Sequence, residues 1–239
     1  MPIDEKPKRN PKWNRDEIIL ALDLYFRTRP GQIHSSNPDV IALSVLINKL
    51  PSFEDKPDQE RYRNANGVSL KLSNFLAIDD SQGQKGMQSF SRLDQEIFNE
   101  FKGRKEILTN IANNIKAALN NPEIKLALNE TDGSEVEEEY EAPEGRLLYK
   151  LHKYKERNRT LVKKKKMNHF NKFGNLACEL CGFDYERIYG SVGRGFAECH
   201  HRSPLHLLQV ETVTKLEDLM IICANCHRMV HKGWIPIRD

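Results

Sequence analysis

The sequence predicts an α+β protein: a mainly α-helical N-terminal domain over residues 1–129, an acidic linker over 130–145, and a C-terminal domain over 146–239 with a four-cysteine zinc site. Three observations carry this. Apolar residues recur at helical spacing through the first half. Acidic residues then crowd one short segment, and two Cys-x-x-Cys pairs with interspersed histidines follow it.

The helices can be placed in order. Asn14 followed by Glu17 has the spacing of an N-cap with its capping-box partner. Ile18, Ile19, Leu22, Tyr25 and Phe26 then give a helix over 14–29. Asn37-Pro38 supplies a cap and a first-turn proline ahead of Ile41, Leu43, Leu46, Ile47 and Leu50. Three more stripes follow, at Val68, Leu72, Phe75 and Leu76; at Leu93, Ile97, Phe98 and Phe101; and at Ile107, Leu108, Ile111, Ile115 and Leu119. Each helix has one apolar face, so together they can close a core. The segment from Asp79 to Ser91, with Gly83 and Gly86, interrupts the series.

Charge is unevenly spread along the chain. Residues 1–129 hold 19 Lys+Arg against 17 Asp+Glu, residues 130–149 hold 1 against 8, and residues 150–239 hold 17 against 9. The acidic stretch before Pro143 and Gly145 repels itself and offers little core, the character of a linker. Beyond it, Leu147, Leu148, Leu151 and Tyr154 open a helix that runs through Lys150 to the cluster Lys163–Lys166. Basic charge gathered around the Cys and His residues suits a polyanionic partner, because cations near phosphates gain by counterion release; charge alone fits a solvated face better. The N-terminus has no apolar signal core and no stretch reaches membrane-spanning length, so a soluble cytoplasmic protein with no membrane partner is expected.

Cys178-Glu-Leu-Cys181 and Cys223-Ala-Asn-Cys226 supply four soft ligands for a closed, tetrahedral structural zinc. The last pair with His227 also fits a c-type haem attachment pattern, but the upstream pair favours zinc. His227 and His231 are one helical turn apart and can share an ion, which makes a second metal site. His200 and His201 fall in a predicted strand from Phe196 to Leu205. Neighbours on a strand face opposite ways, so one can complete the metal site and the other can stay free as a base, unless the strand ends there. A cation and a neutral imidazole together are what phosphodiester hydrolysis requires. Cys199, between them, is expected on the inward strand face.

The run Glu198-Cys-His-His-Arg-Ser-Pro-Leu205, with Leu216-Glu-Asp-Leu219 and Cys223-Ala-Asn-Cys-His-Arg-Met-Val-His231, resembles the HNH endonucleases of ββα-metal fold, in their zinc-stapled McrA-like branch. The resemblance is close over residues 178–233. It implies His201 as general base, and His200, His227 and His231 as ligands of a catalytic divalent ion (Mg, Mn, Ni or Zn). Asp218 stands where many members carry an Asn that braces the loop, with Asn225 a second candidate for part of that role. Arg228 and Arg202 are candidate phosphate contacts.

Ahead of this, Lys12-Trp-Asn-Arg15 and Arg61-Tyr-Arg-Asn-Ala-Asn-Gly-Val68 mix cations, amides and aromatics, with Asn64 to Gly67 read as a turn. Trp13 is read as packing at the start of the first helix. Arg61, Tyr62, Arg63, Asn64, Asn66, Lys71 and Arg228 are the candidate DNA contacts. The layout is similar to type IV restriction enzymes that cut modified DNA, in particular those with a sulfur-binding domain that reads phosphorothioate backbones. That similarity implies an apolar dent rimmed by cations, with Tyr25, Pro30 and Tyr62 as candidates. 5-Methyl- or hydroxymethylcytosine is the alternative mark. A single HNH site cuts one strand at a time, so a homodimer on double-stranded DNA is expected. Two other readings stay open, a non-enzymatic zinc DNA-binding protein and a toxin-like nuclease without target preference.

Overall fold

The structure is a computed structural model. It describes residues 9–51, 58–83, 89–120, 147–150, 158–202 and 214–232, together with Lys56, Gly145 and Glu156. The chain divides into two compact units, Met1–Pro122 and Glu123–Asp239. The acidic stretch, apart from Gly145, lies outside the described residues, as do Leu151 and Tyr154. No described helix is long and apolar enough to cross a membrane.

The N-terminal unit is built around α1 (Arg15–Arg27), which touches α2 (Pro38–Asn48), α3 (Ala65–Ile78), α4 (Arg92–Phe101) and α5 (Lys105–Asn120). The local signals explain the helix starts. Asn14 accepts from Glu17 N, and Glu17 accepts from Asn14 N at 2.8 Å. Asn37 caps α2 with Pro38 in its first turn, and Ser91 and Asp94 make the same reciprocal box for α4. Residues 16–25 of α1 are buried without a break, as a helix packed on all sides requires. Burying a large apolar side chain such as Ile18, Leu22 or Phe75 stabilises the fold by about 1.5–3 kcal/mol.

A helix buried all round must satisfy its polar residues internally. Asp23 accepts from Arg27 at 2.8 Å, Thr109 at 3.0 Å and Lys116 at 3.2 Å. Glu17 receives Arg63 twice, at 2.9 and 2.8 Å, and the Tyr62 hydroxyl at 2.9 Å. Lys71 is equally enclosed, with its ammonium 2.7 Å from Asp94. Burial pulls the Lys71 pKa below its ordinary value in spite of that carboxylate.

In the C-terminal unit, residues 147–150 are helical and buried, and Glu156 is helical. Asn158 then caps a separate helix, α6 (Arg159–Phe173), by accepting from Leu161 N. The predicted single basic helix is therefore divided at Asn158. Next come α7 (Tyr185–Tyr189), β1 (Glu198–His201), β2 (Leu219–Ile222) and α8 (Ala224–His231). The strands form an antiparallel pair in the register Glu198↔Ile222, Cys199↔Ile221, His200↔Met220 and His201↔Leu219. β1 is shorter than the predicted strand, and residues 203–205 of that prediction lie outside the described ones. α6 packs across both strands, with Val162 against the core of Ala197, Cys199 and Ile221.

Candidate active site

The two cysteine pairs converge. A thiolate turn brings in Cys178 and Cys181: Gly182 N donates to Cys178 O and Cys178 N to Phe183 O, with Gly182 at φ +74° where a side chain would be strained. Cys223 caps α8, its sulfur accepting from Cys226 N. Sulfurs of Cys178, Cys181, Cys223 and Cys226 all lie within 4.8 Å of one another. Met220, Ile222, Leu180, Phe183 and Tyr185 pack around them, and Tyr185 Oη accepts from Ala224 N. Four converging thiols in an apolar setting cannot all ionise without a cation, and burial already pushes the Cys226 thiol up. The donor set fits zinc.

A second cluster is formed by Glu156, His200, His227 and His231, again with one ligand atom from each within 4.8 Å of the others. His200 comes from β1, and His227 and His231 from successive turns of α8. His231 Nε2 is 3.0 Å from His227 Nε2, and His200 Nδ1 is 2.7 Å from Glu156 Oε1. His227 turns its other nitrogen, Nδ1, to Glu198 at 2.5 Å. A carboxylate behind a ligand imidazole fixes the ring and raises its basicity.

Electrostatics show the demand for positive charge. Burial disfavours the His227 imidazolium, yet hydrogen bonds to Glu156 and Glu198 outweigh it and lift its pKa to about 9. Glu198 is held below the usual carboxylate range, first by its bond to His227 and also by the nearby Arg228. Three imidazoles and one carboxylate, backed by a second carboxylate, are a donor set suited to a divalent ion such as zinc, nickel or manganese.

His201 ends β1 and is almost fully buried. Its Nδ1 lies 3.9 Å from Glu156 Oε1, and its Nε2 is 3.3 Å from Thr214 Oγ1. His200 and His201 are consecutive residues of β1, and only His200 belongs to the four-residue cluster with Glu156. Asp218 closes a short 3₁₀ turn: its carboxylate accepts from Lys215 N at 2.8 Å, and its carbonyl from Arg202 N at 2.7 Å. Asn225 and Arg228 are exposed on α8. Arg202 pairs with Glu179, and Glu179 also accepts from Ile221 N, so this arginine ties the cysteine turn to the sheet. Cys199 faces the core, where burial pushes its thiol up to about 11, so it is no nucleophile at neutral pH.

Two residues escaped the sequence reading. Glu156 had one signal, being the only acidic residue between Lys150 and Cys178. Glu198 had its position immediately before Cys199 and the histidine pair.

The candidate DNA contacts of the N-terminal unit need correction. Arg63 and Tyr62 are buried on Glu17, and Arg63 also donates to Pro11 O and Lys12 O. Lys71 is buried on Asp94, and the guanidinium of Arg63 stacks 4.6 Å from the Trp13 ring. Asn64 to Gly67 are no free turn: Asn64 caps α3 by accepting from Gly67 N at 2.9 Å, and its amide nitrogen donates to Glu60 O. These residues hold the fold because each answers an internal charge or an open helix end. Arg61 and Asn66 remain exposed.

A two-stranded sheet and a following helix together carry a histidine-rich cluster close to four converging cysteines, two donor sets that could each hold a metal ion. Residues 178–233, within the C-terminal unit, match the family model for HNH endonuclease. No curated protein and no solved structure matches the chain.

Proposed function

We propose that this protein is a metal-dependent DNA endonuclease that hydrolyses phosphodiester bonds at the His200, His227, His231 and Glu156 cluster. The observation that carries the reading is the convergence, beside His201, of three imidazoles from the stretch that matches the HNH family with the Glu156 carboxylate from upstream of it. His200, His227 and His231 would hold a divalent ion, which when bound would supply charge to neutralise a non-bridging phosphate oxygen and the leaving alkoxide. His201 takes the proton of the attacking water at its ring nitrogen, and Thr214 orients that ring. Asp218 braces the loop opposite through Lys215 N. Arg228 and the exposed Lys163, Lys164 and Lys172 of α6 give phosphates a cationic approach, whereas Lys165 is spent on Leu216 O.

The N-terminal unit is the reader of marked DNA in this proposal, as in type IV restriction enzymes. What supports it is a cavity of about 440 Å³ whose lining joins Tyr25, Phe26, Pro30 and Phe98 with Lys102 and Lys105, and also holds Asp79 and Asp80. The aromatics and the two lysines offer contacts to a phosphorothioate, whose sulfur is larger and less hydrated than oxygen, while Asp79 and Asp80 oppose its charge; a modified cytosine stacked on the aromatics is the alternative. Tyr62 takes no part, being buried on Glu17. Cutting both strands calls for a homodimer.

The test is cleavage of phosphorothioate-bearing, cytosine-modified and unmodified plasmids with Mg²⁺, Mn²⁺ or Ni²⁺. The expected result is cutting of one marked substrate and none by His201→Ala. Equal cutting by His201→Ala refutes the base, and equal cutting of unmarked DNA refutes the reader. One observation favours a second reading: Glu156 completes a four-ligand set, the usual form of a structural site. A non-enzymatic zinc DNA-binding protein would hold two tight zincs per chain and cut nothing.

A further inference from the structure

We propose that Glu156 is a fourth protein ligand of the histidine site and holds the coordination position that a DNA phosphodiester oxygen takes on binding. The inference rests on the nuclease reading for its biological sense. Its geometry stands apart from it, because Glu156 lies outside residues 178–233.

The carboxylate is 6% exposed and touches all three imidazoles: Oε1 is 2.7 Å from His200 Nδ1, and Oε2 is 3.2 Å from His227 Nε2 and 3.5 Å from His231 Nε2. For His227, the nitrogen facing it is the one left for an ion, since Nδ1 is spent on Glu198. A carboxylate oxygen within 4.8 Å of all three nitrogens is placed to share one ion with them. The segment that carries it is anchored here a second time, because the Tyr149 ring meets the His231 ring edge-on at 5.5 Å.

Three nitrogens and one oxygen fill a tetrahedral shell, yet a hydrolytic site must keep one position for its substrate. Among the four, Glu156 is the ligand with the chemistry of the incoming group. A carboxylate and a phosphodiester are both monoanionic hard oxygen donors, so exchanging one for the other changes no net charge. The imidazoles cannot make that exchange, because they are nitrogen donors, carried on β1 and α8. In DNA-free protein Glu156 therefore closes the site, and DNA opens it by substitution.

The experiment loads the full chain with zinc at the cysteines and titrates Co²⁺ into the second site of the parent, Glu156→Gln and Glu156→Ala. Circular dichroism checks that each variant folds, and the near-isosteric Gln guards against a packing effect. Dimethyl phosphate is then titrated into each cobalt-loaded protein. The expected result is Co²⁺ affinity at least tenfold weaker in both variants, and dimethyl phosphate binding at least tenfold tighter in Glu156→Ala than in the parent. Unchanged Co²⁺ affinity overturns the ligand assignment. Weakened Co²⁺ with unchanged or weaker diester binding overturns the exchange and leaves Glu156 a permanent ligand. Plasmid cleavage by the parent is scored separately: its absence, with both titrations as expected, removes the nuclease reading and leaves the Glu156 assignment standing.

Discussion

Replacing Arg63 by Met separates a fold-holding cation from a DNA-reading one. The Arg63 side chain is 5% exposed and its partner Glu17 1%, and the guanidinium donates at 2.9 and 2.8 Å to the carboxylate and at 3.1 and 2.8 Å to Pro11 O and Lys12 O. Met keeps the apolar stem and leaves Glu17 charged and enclosed, with the Tyr62 hydroxyl and the Asn14 amide as its remaining donors. Removing one partner of a buried pair costs about 3–5 kcal/mol. A total stability of about 5–15 kcal/mol makes that a large share. With a urea slope of about 1–3 kcal/mol/M, the midpoint of the N-terminal unit falls by on the order of 1 M or more. Urea unfolding followed by helix circular dichroism reads the loss, and Glu17→Gln added to Arg63→Met recovers part of it because no charge is stranded. A change below about 0.5 kcal/mol, the ordinary range for a surface site, together with weakened DNA binding, would refute the structural role.

Further outcomes follow from the C-terminal unit. Glu198→Gln removes the anchor behind His227 and is expected to weaken divalent-ion affinity at the histidine site about 10–100-fold, read by calorimetric titration with the cysteine zinc retained. An unchanged affinity contradicts the orienting role. Cys226→Ser, or a strong chelator, is expected to abolish the folded signals of this unit, because structural zinc is worth about 10–16 kcal/mol in small domains; dispersed amide resonances surviving without zinc would oppose this. Burial pulls the His169 pKa below its ordinary value despite nearby Glu179, so the unfolded chain binds that proton more readily. Its contribution is fully present above about pH 6.5 and is lost as pH falls through the lower folded value. Thermal melts of His169→Gln should therefore depend on pH less steeply than the parent over about pH 7.5 to 5.5; identical slopes would count against the assignment.

The sequence was most legible where the signal is local. The Asn14–Glu17 box, the Asn37-Pro38 start and the apolar stripes each act within a turn or two, and α1 to α5 follow them. The cysteine spacing and the His227–His231 interval are local in the same way. What escaped is long-range or unpatterned. β2, Leu-Met-Ile-Ile, is buried at every residue and so has none of the alternation that marks a strand. Arg63 and Lys71 looked like surface cations because Glu17 and Asp94, their partners, stand 46 and 23 residues away. Glu156 reaches His200 from 44 residues upstream, and no spacing rule links one acidic residue in a basic run to imidazoles that far off.

The helix of eight residues that ends at His231 begins on Cys223, so the same element is clamped by sulfur at one end and presents nitrogen at the other. Oxidants or metal starvation that loosen the thiols must also unseat the imidazoles. If the histidine site cuts DNA as proposed, its activity is expected to follow the thiol chemistry of the surroundings.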